Sequence, residues 1–148
     1  MKRAEHTVPM GWYQRKAHEE ADYIFQNLLP KHGLKVREEQ LRLCHEMLDT
    51  LWGNHIALCD AGVGIGKTYA YLAACILQEK YREKSRGISE TSCRPAVIST
   101  SSIALQEAIM QEYIPFLSRI LLEEKLIRIP LKAAVRKGKE HFVCDSRL

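Results

Sequence analysis

The sequence predicts an α/β fold, a parallel sheet with flanking helices, and three observations predict it. Apolar residues recur at helical spacing in several separate stretches. Short apolar or β-branched runs of strand length lie between them, and a glycine-rich turn joins one such run to the helix that follows. Strand, helix, strand, helix, strand is the order in which a parallel sheet is threaded through helical crossovers.

The first element is an amphipathic helix over Tyr13 to Leu29, with Ala17, Ala21, Ile24, Phe25, Leu28 and Leu29 on one face; Pro30 and Gly33 are expected to end it. A second helix is predicted from Glu38 to Trp52, with Leu41, Cys44, Met47, Leu48 and Leu51 as its apolar stripe and Gly53-Asn54 as its stop. His55 to Cys59 has the length and flanks of a buried parallel strand. After the turn from Asp60 to Gly66, a helix should run from Lys67 to about Arg82, burying Tyr69, Leu72, Ala73, Ile76 and Leu77. Glu83 to Arg94 is rich in Ser, Gly and charge and reads as a surface loop. Ala96 to Thr100 is the second expected strand, and Ser101 or Ser102 can cap the next helix, which reaches about Tyr113. Pro115 is expected to restart a helix through Leu122, and Leu131 to Val135 is the third expected strand.

The chain has 148 residues, 46% of them hydrophobic, with 8 Gly and 5 Pro, which supplies the core of one compact domain or of a piece of a larger one. Disordered and fibrous classes are thereby excluded. The longest unbroken apolar stretch, Tyr69 to Leu77, is far below the roughly 18 residues needed to cross a bilayer, so no membrane partner is expected. Basic Met1-Lys2-Arg3 is followed by polar and charged residues in place of a signal-peptide apolar segment, and the expected address is the cytoplasm. Five cysteines without a C-x-x-C pair signal neither a disulfide frame nor a zinc site, and Cys44, Cys59 and Cys75 are expected to be small core residues. The net charge is +4, but the segment from Lys125 onward carries +5 and the rest −1. Such a basic cluster fits either phosphate attraction or a solvated face.

The motif with most chemistry is Ala61-Gly62-Val63-Gly64-Ile65-Gly66-Lys67-Thr68, a phosphate-binding loop with Ala in place of the first Gly of G-x-x-x-x-G-K-[ST]. It follows an expected strand and opens an expected helix. Gly62, Gly64 and Gly66 admit torsions and close approaches that a Cβ forbids, and the helix N-terminus offers unsatisfied N–H donors and the positive end of its dipole. Lys67 would meet the β- and γ-phosphates, and Thr68 would place its hydroxyl on Mg²⁺.

In order from about Leu34, the sequence resembles the DinG/XPD family of superfamily 2 DNA helicases. Val36-Arg37-Glu38-Glu39-Gln40 resembles that family's adenine-recognising R-x-x-Q segment, which implies that Arg37 and Gln40 belong to the ATP site; a glutamine amide can read an adenine edge. Asp60 through Leu72 is similar to E-A-G-T-G-x-G-K-T-x-x-Y-L, with Asp60 departing from Glu. Val97 through Glu107 resembles the segment that helps hold single-stranded DNA, and the resemblance makes Thr100 and Gln106 DNA contacts. Ala134 through Cys144 is similar to K-G-R-x-N-Y-L-C, which makes Cys144 a candidate iron–sulfur ligand, while Lys137 and Lys139 of the basic C-terminal cluster are further DNA-binding candidates. A [4Fe–4S] cluster takes four thiolates, so the other three are expected beyond Leu148.

The resemblance implies a RecA-like P-loop NTPase fold, with residues 1–33 as an N-terminal helical extension and 34–148 as the N-terminal part of an incomplete motor domain. Lys67 would be its catalytic lysine, ATP and Mg²⁺ its cofactors, and single-stranded DNA its partner. The remaining helicase domains are expected in the same longer chain. Ile120-Leu121-Leu122-Glu123-Glu124 mimics the acidic pair that hydrolysis needs, yet it reads as a solvated helix end, so this chain alone is expected to bind ATP without hydrolysing it efficiently. Two alternatives remain: another P-loop NTPase such as a small kinase, which would need an arginine-rich lid, and a non-catalytic nucleotide- or DNA-binding remnant.

Overall fold

The computed structural model describes residues 10–53, 55–62, 64–86 and 95–137. They form helices α1 (Trp12–Tyr23), α2 (Leu29–Lys31), α3 (Glu38–Trp52), α4 (Lys67–Arg86), α5 (Ile103–Ala108) and α6 (Ile114–Glu123). The chain divides into two compact units, Met1–Ile98 and Ser99–Leu148.

In the first unit α1, α3 and α4 pack on one another. All six residues of the stripe expected on the first helix, Ala17, Ala21, Ile24, Phe25, Leu28 and Leu29, are buried; Cys44 and Leu48 of α3 and Leu72, Ala73 and Leu77 of α4 join them. The Glu20 carboxylate of α1 receives Lys80 of α4 at 2.5 and 2.6 Å, and both side chains are at least four-fifths buried. Glu20→Gln would leave the ammonium without its counter-charge. It is expected to lower stability by about 1–2 kcal/mol, read as a lower urea midpoint; an unchanged midpoint would show that the pair contributes nothing.

α1 and α2 form one rod, joined by a π-helical turn at Ile24–Leu28. Pro30 therefore does not end the helix at once. Its missing N–H and its ring, which crowds a carbonyl one turn back, are accommodated by the wide turn just before it, where the Leu29 N–H donates to the Ile24 carbonyl. The end comes at Gly33, whose φ of +88° closes the last turn: its N–H donates to Pro30 O at 2.9 Å and the Leu34 N–H to Leu29 O at 3.1 Å.

The second unit repeats the device. A π-helical turn at Ile109–Tyr113 precedes Ile114-Pro115, so α5 and α6 are one rod and Pro115 interrupts nothing. Leu117, Ile120 and Leu121 are buried on it. The chain after it returns alongside, with the Leu131 N–H donating to Ser118 Oγ at 3.0 Å.

The expected sheet is corrected: among the described residues there is no β-strand, so neither the α/β class nor its RecA-like P-loop form is found. The three runs 55–59, 96–100 and 131–135 are extended or irregular and make no ladder. β-branched and apolar composition favours an extended backbone, but a strand exists only when a neighbouring segment satisfies its N–H and C=O groups. Ile56 and Leu58 are fully exposed and Val97 is 87% exposed, the opposite of a buried parallel strand. Of the loop expected over Glu83 to Arg94, residues 83–86 are the last turn of α4, and 87–94 lie outside the described residues.

Candidate functional site

The glycine turn ahead of α4 is organised by two side chains. Gly64 and Gly66 have φ of +86° and +81°, a backbone region that costs a Cβ-bearing residue roughly 1–2 kcal/mol. The turn delivers the chain to Lys67, the first residue of α4, and the Tyr69 N–H donates back to Gly66 O at 3.2 Å. Lys67 is exposed and arches over its own loop, donating from Nζ to the Ala61 carbonyl at 2.6 Å. Thr68 is half-buried beside it. A Cβ at Gly62 would meet nothing within 4 Å, so the mouth of the loop is open at that residue.

Gln40 comes from α3 and is only 5% exposed. Its Nε2 donates to the Gly66 carbonyl at 2.7 Å and stands 2.1 Å from where a Cβ on residue 66 would lie. The amide thus occupies the room that glycine leaves and braces the loop against α3. Arg37, paired with it in the sequence motif, is exposed and caps α3 through its carbonyl, which accepts the Gln40 and Leu41 N–H groups at 3.1 and 3.2 Å. Ala61, Gly66, Lys67 and Gln40 are therefore brought together, and Arg37 stands at the start of the helix that supplies Gln40.

A cleft of about 460 Å³ opens on the other side of the loop, between α3 and residues 57–62. Glu39, Arg42 and Glu46 of α3 line it, with Asp60, Ala61 and Gly62 opposite. Sequence reasoning missed Arg42. It falls on the exposed side of an amphipathic helix and carries no motif, so only its place two residues after Gln40 could have drawn notice.

Cys59, expected in the core, is exposed in this cleft. Cys44 and Cys75 are enclosed instead: burial pushes the Cys44 thiol up, and burial, then Glu79, pushes Cys75 from 9.0 to about 11. Neither is a thiolate at neutral pH. Among the described residues no group of three or more His, Cys, Asp or Glu is placed to hold a metal. Cys144 and Lys139 lie outside the described residues.

In the second unit Thr100 and Gln106 meet each other. Gln106 Nε2 donates to the Thr100 carbonyl at 3.2 Å, and Thr100 Oγ1 accepts the Ser102 N–H at 3.1 Å. Ser102, one of two expected caps, accepts the Leu105 N–H at 3.2 Å. Gln106 Oε1 is buried with no hydrogen-bond partner among the described residues. Lys137 is half-buried at the end of the irregular run.

No protein-family model and no solved structure matches the chain. Curated proteins do. The chain is similar to the 3'-5' exonuclease DinG of Bacillus subtilis, with 31% identity over 112 residues, 76% of this chain and 10% of that protein. It is similar to the ATP-dependent DNA helicase YoaA of Escherichia coli, with 28% identity over 116 residues, 78% and 15% respectively. It is similar, too, to the ATP-dependent DNA helicase DinG of Photobacterium profundum, with 28% identity over 117 residues, 76% and 15%. The chain is thus related to ATP-dependent DNA helicases. More particularly, its resemblance to the DinG type extends over about three quarters of its length, and it spans 10–15% of the length of these relatives. Among the described residues no helix is long and apolar enough to cross a membrane.

Proposed function

We propose that the chain carries the ATP-binding loop of a DinG-type DNA helicase. The observation that supports this most is the loop Ala61–Thr68 itself: a turn with two left-handed glycines opens α4, and its lysine is free to leave a neutral carbonyl for an anion. Lys67 would give up the Ala61 oxygen for the β- and γ-phosphate oxygens, exchanging a neutral acceptor for a charged one. The N–H groups of the first turn of α4 would face the same anion, and Thr68 would hold Mg²⁺ through its hydroxyl. Gln40 holds Gly66 in place. Arg37, exposed beside it, is left to meet the base or sugar. Bound Mg²⁺ would supply charge neutralisation at the phosphates.

Titration of the full 148-residue chain with a fluorescent ATP analogue in Mg²⁺ tests this reading. Saturable binding that unlabelled ATP displaces is expected; no binding at millimolar nucleotide would overturn it.

In the longer parent, ATP hydrolysis would be stimulated by single-stranded DNA, with Thr100, Gln106, Lys137 and Lys139 touching the strand. Replacing Lys137 and Lys139 by alanine is expected to weaken single-stranded DNA binding and to reduce the slope of log affinity against log salt by about 1.4, since each phosphate contact on a single strand contributes about 0.7. An unaltered slope would make the basic segment a solvated face. Cys144 would be one of four cluster ligands, the other three lying in the parent chain. Reduced thiols and DNA as partner suit a cytoplasmic protein.

A further inference from the structure

α1 and α3 are joined by a chain of four side chains away from the glycine loop. Asp22 Oδ1 of α1 lies 2.9 Å from His45 Nε2 of α3. His45 Nδ1 lies 2.6 Å from His18 Nδ1 of α1. His18 Nε2 in turn lies 2.9 Å from Asp49 Oδ1 of α3, which also accepts Gln14 Nε2 at 3.0 Å. The two imidazoles lie edge to edge and nearly coplanar, with centroids 4.8 Å apart and planes inclined by 16°. His18 is 14% and His45 27% exposed, while the carboxylates are about half exposed.

Counting protons decides what this geometry requires. An ionised carboxylate only accepts, so both Nε2 atoms must carry hydrogen. Two Nδ1 atoms at 2.6 Å need one hydrogen between them: with none, two lone pairs face each other, and with two, two N–H groups collide. Four ring nitrogens therefore hold three protons, one imidazolium donating to one neutral imidazole in a short, charge-assisted bond. The other titratable or charged groups on neighbouring turns are Arg15, Lys16, Glu19 and Glu20 of α1, Arg42, Cys44 and Glu46 of α3, and Cys75, Glu79 and Lys80 of α4. Glu19 is paired with Lys16 and Glu20 with Lys80, while Cys44 and Cys75 stay protonated.

We infer that His18 and His45 share a single proton and act as a pH-sensitive clamp between α1 and α3, closed only while the pair carries one positive charge. Two free imidazoles together take up close to two added protons well below about pH 6.5 and none well above it. While closed, the clamp holds one shared proton between the two Nδ1 atoms. Below about pH 6.5 the unfolded chain therefore binds more protons than the folded one, and stability rises with pH; above it the unfolded chain binds fewer, and stability falls. The same helix α3 carries Gln40, so the clamp fixes the helix that braces the glycine loop.

The test is made on the full chain. Nitrogen-15 NMR of labelled imidazoles near neutral pH should show both Nε2 atoms protonated and one proton divided between the two Nδ1 atoms, gained and lost in two coupled steps. Two imidazoles titrating independently would overturn the inference. In parallel, urea unfolding is compared from about pH 5 to about pH 8.5 between the natural chain and the His18→Leu/His45→Leu double variant, which removes all four ring nitrogens. The ratio of their unfolding constants should favour the natural chain most near pH 6.5 and decline on either side, approaching tenfold per pH unit. A ratio independent of pH would overturn it. Should the double variant fail to fold, the NMR titration decides alone.

Discussion

Lys67→Ala is expected to lower the affinity of the chain for ATP by about ten- to a hundredfold while leaving its folding stability nearly unchanged. The side chain is exposed, and among the described residues its ammonium makes one hydrogen bond, to the Ala61 carbonyl of its own loop. Nothing in the core depends on it. A charge-assisted hydrogen bond contributes about 1.5–3 kcal/mol, which converts to the stated loss in binding at about 1.4 kcal/mol per tenfold. Nucleotide titration and urea unfolding of the same preparation check both halves. Unchanged affinity would remove Lys67 from the site, and a large fall in stability would make it a structural residue.

Gly66→Ala is expected to damage the loop from the other side, through two independent costs. The residue would have to keep φ near +81°, which disfavours a Cβ by roughly 1–2 kcal/mol. The new methyl would also lie 2.1 Å from Gln40 Nε2, expelling an amide that is buried and hydrogen-bonded to Gly66 O. Losing that bond costs about 1–2 kcal/mol more. A total of about 2–4 kcal/mol in stability should appear in denaturant unfolding, together with weaker nucleotide binding. Gln40→Ala in the Gly66→Ala background removes the collision but restores neither the torsion nor the hydrogen bond, so it should recover little of the loss. Substantial recovery would assign the effect to crowding.

Much of the helical framework was legible because amphipathic spacing repeats over three or more turns. α3 was bounded correctly at both ends, and the whole stripe from Ala17 to Leu29 is buried. The glycine turn was legible too, since its position ahead of a helix needs no tertiary information. What was not legible depends on partners distant in sequence. The runs at 55–59 and 96–100 have the composition of strands, but pairing is a property of two segments, and composition reports one. Cys59 illustrates the same limit: its apolar neighbours suggested a core position, and it lies exposed because the run that contains it is unpaired. Gln40 carries the same lesson at the level of a side chain. Its spacing from the loop suggested a base-reading amide, while its burial and its bond to Gly66 became visible only once α3 and α4 were seen to pack. The histidine clamp could not be read at all, because His18 and His45 belong to helices whose mutual rotation the sequence does not encode in any local pattern.

Proline was read as punctuation at residues 30 and 115, and in both rods it is preceded by a wide turn. Such a turn lodges one surplus residue in a helix without passing its rotation of about 100° to the residues downstream. The first rod therefore contains a phase reset: Ala17 and Ala21 before the turn and Leu28 and Leu29 after it are all buried, although the number of residues between them need not suit an unbroken helix of about 3.6 residues per turn. Insertions and deletions of a single residue, which elsewhere in a helix swing every later side chain away from the core, have in these two turns a place where they can be absorbed, so the rods can change in length over evolutionary time while the buried faces of Ala17 and Leu117 stay where they are.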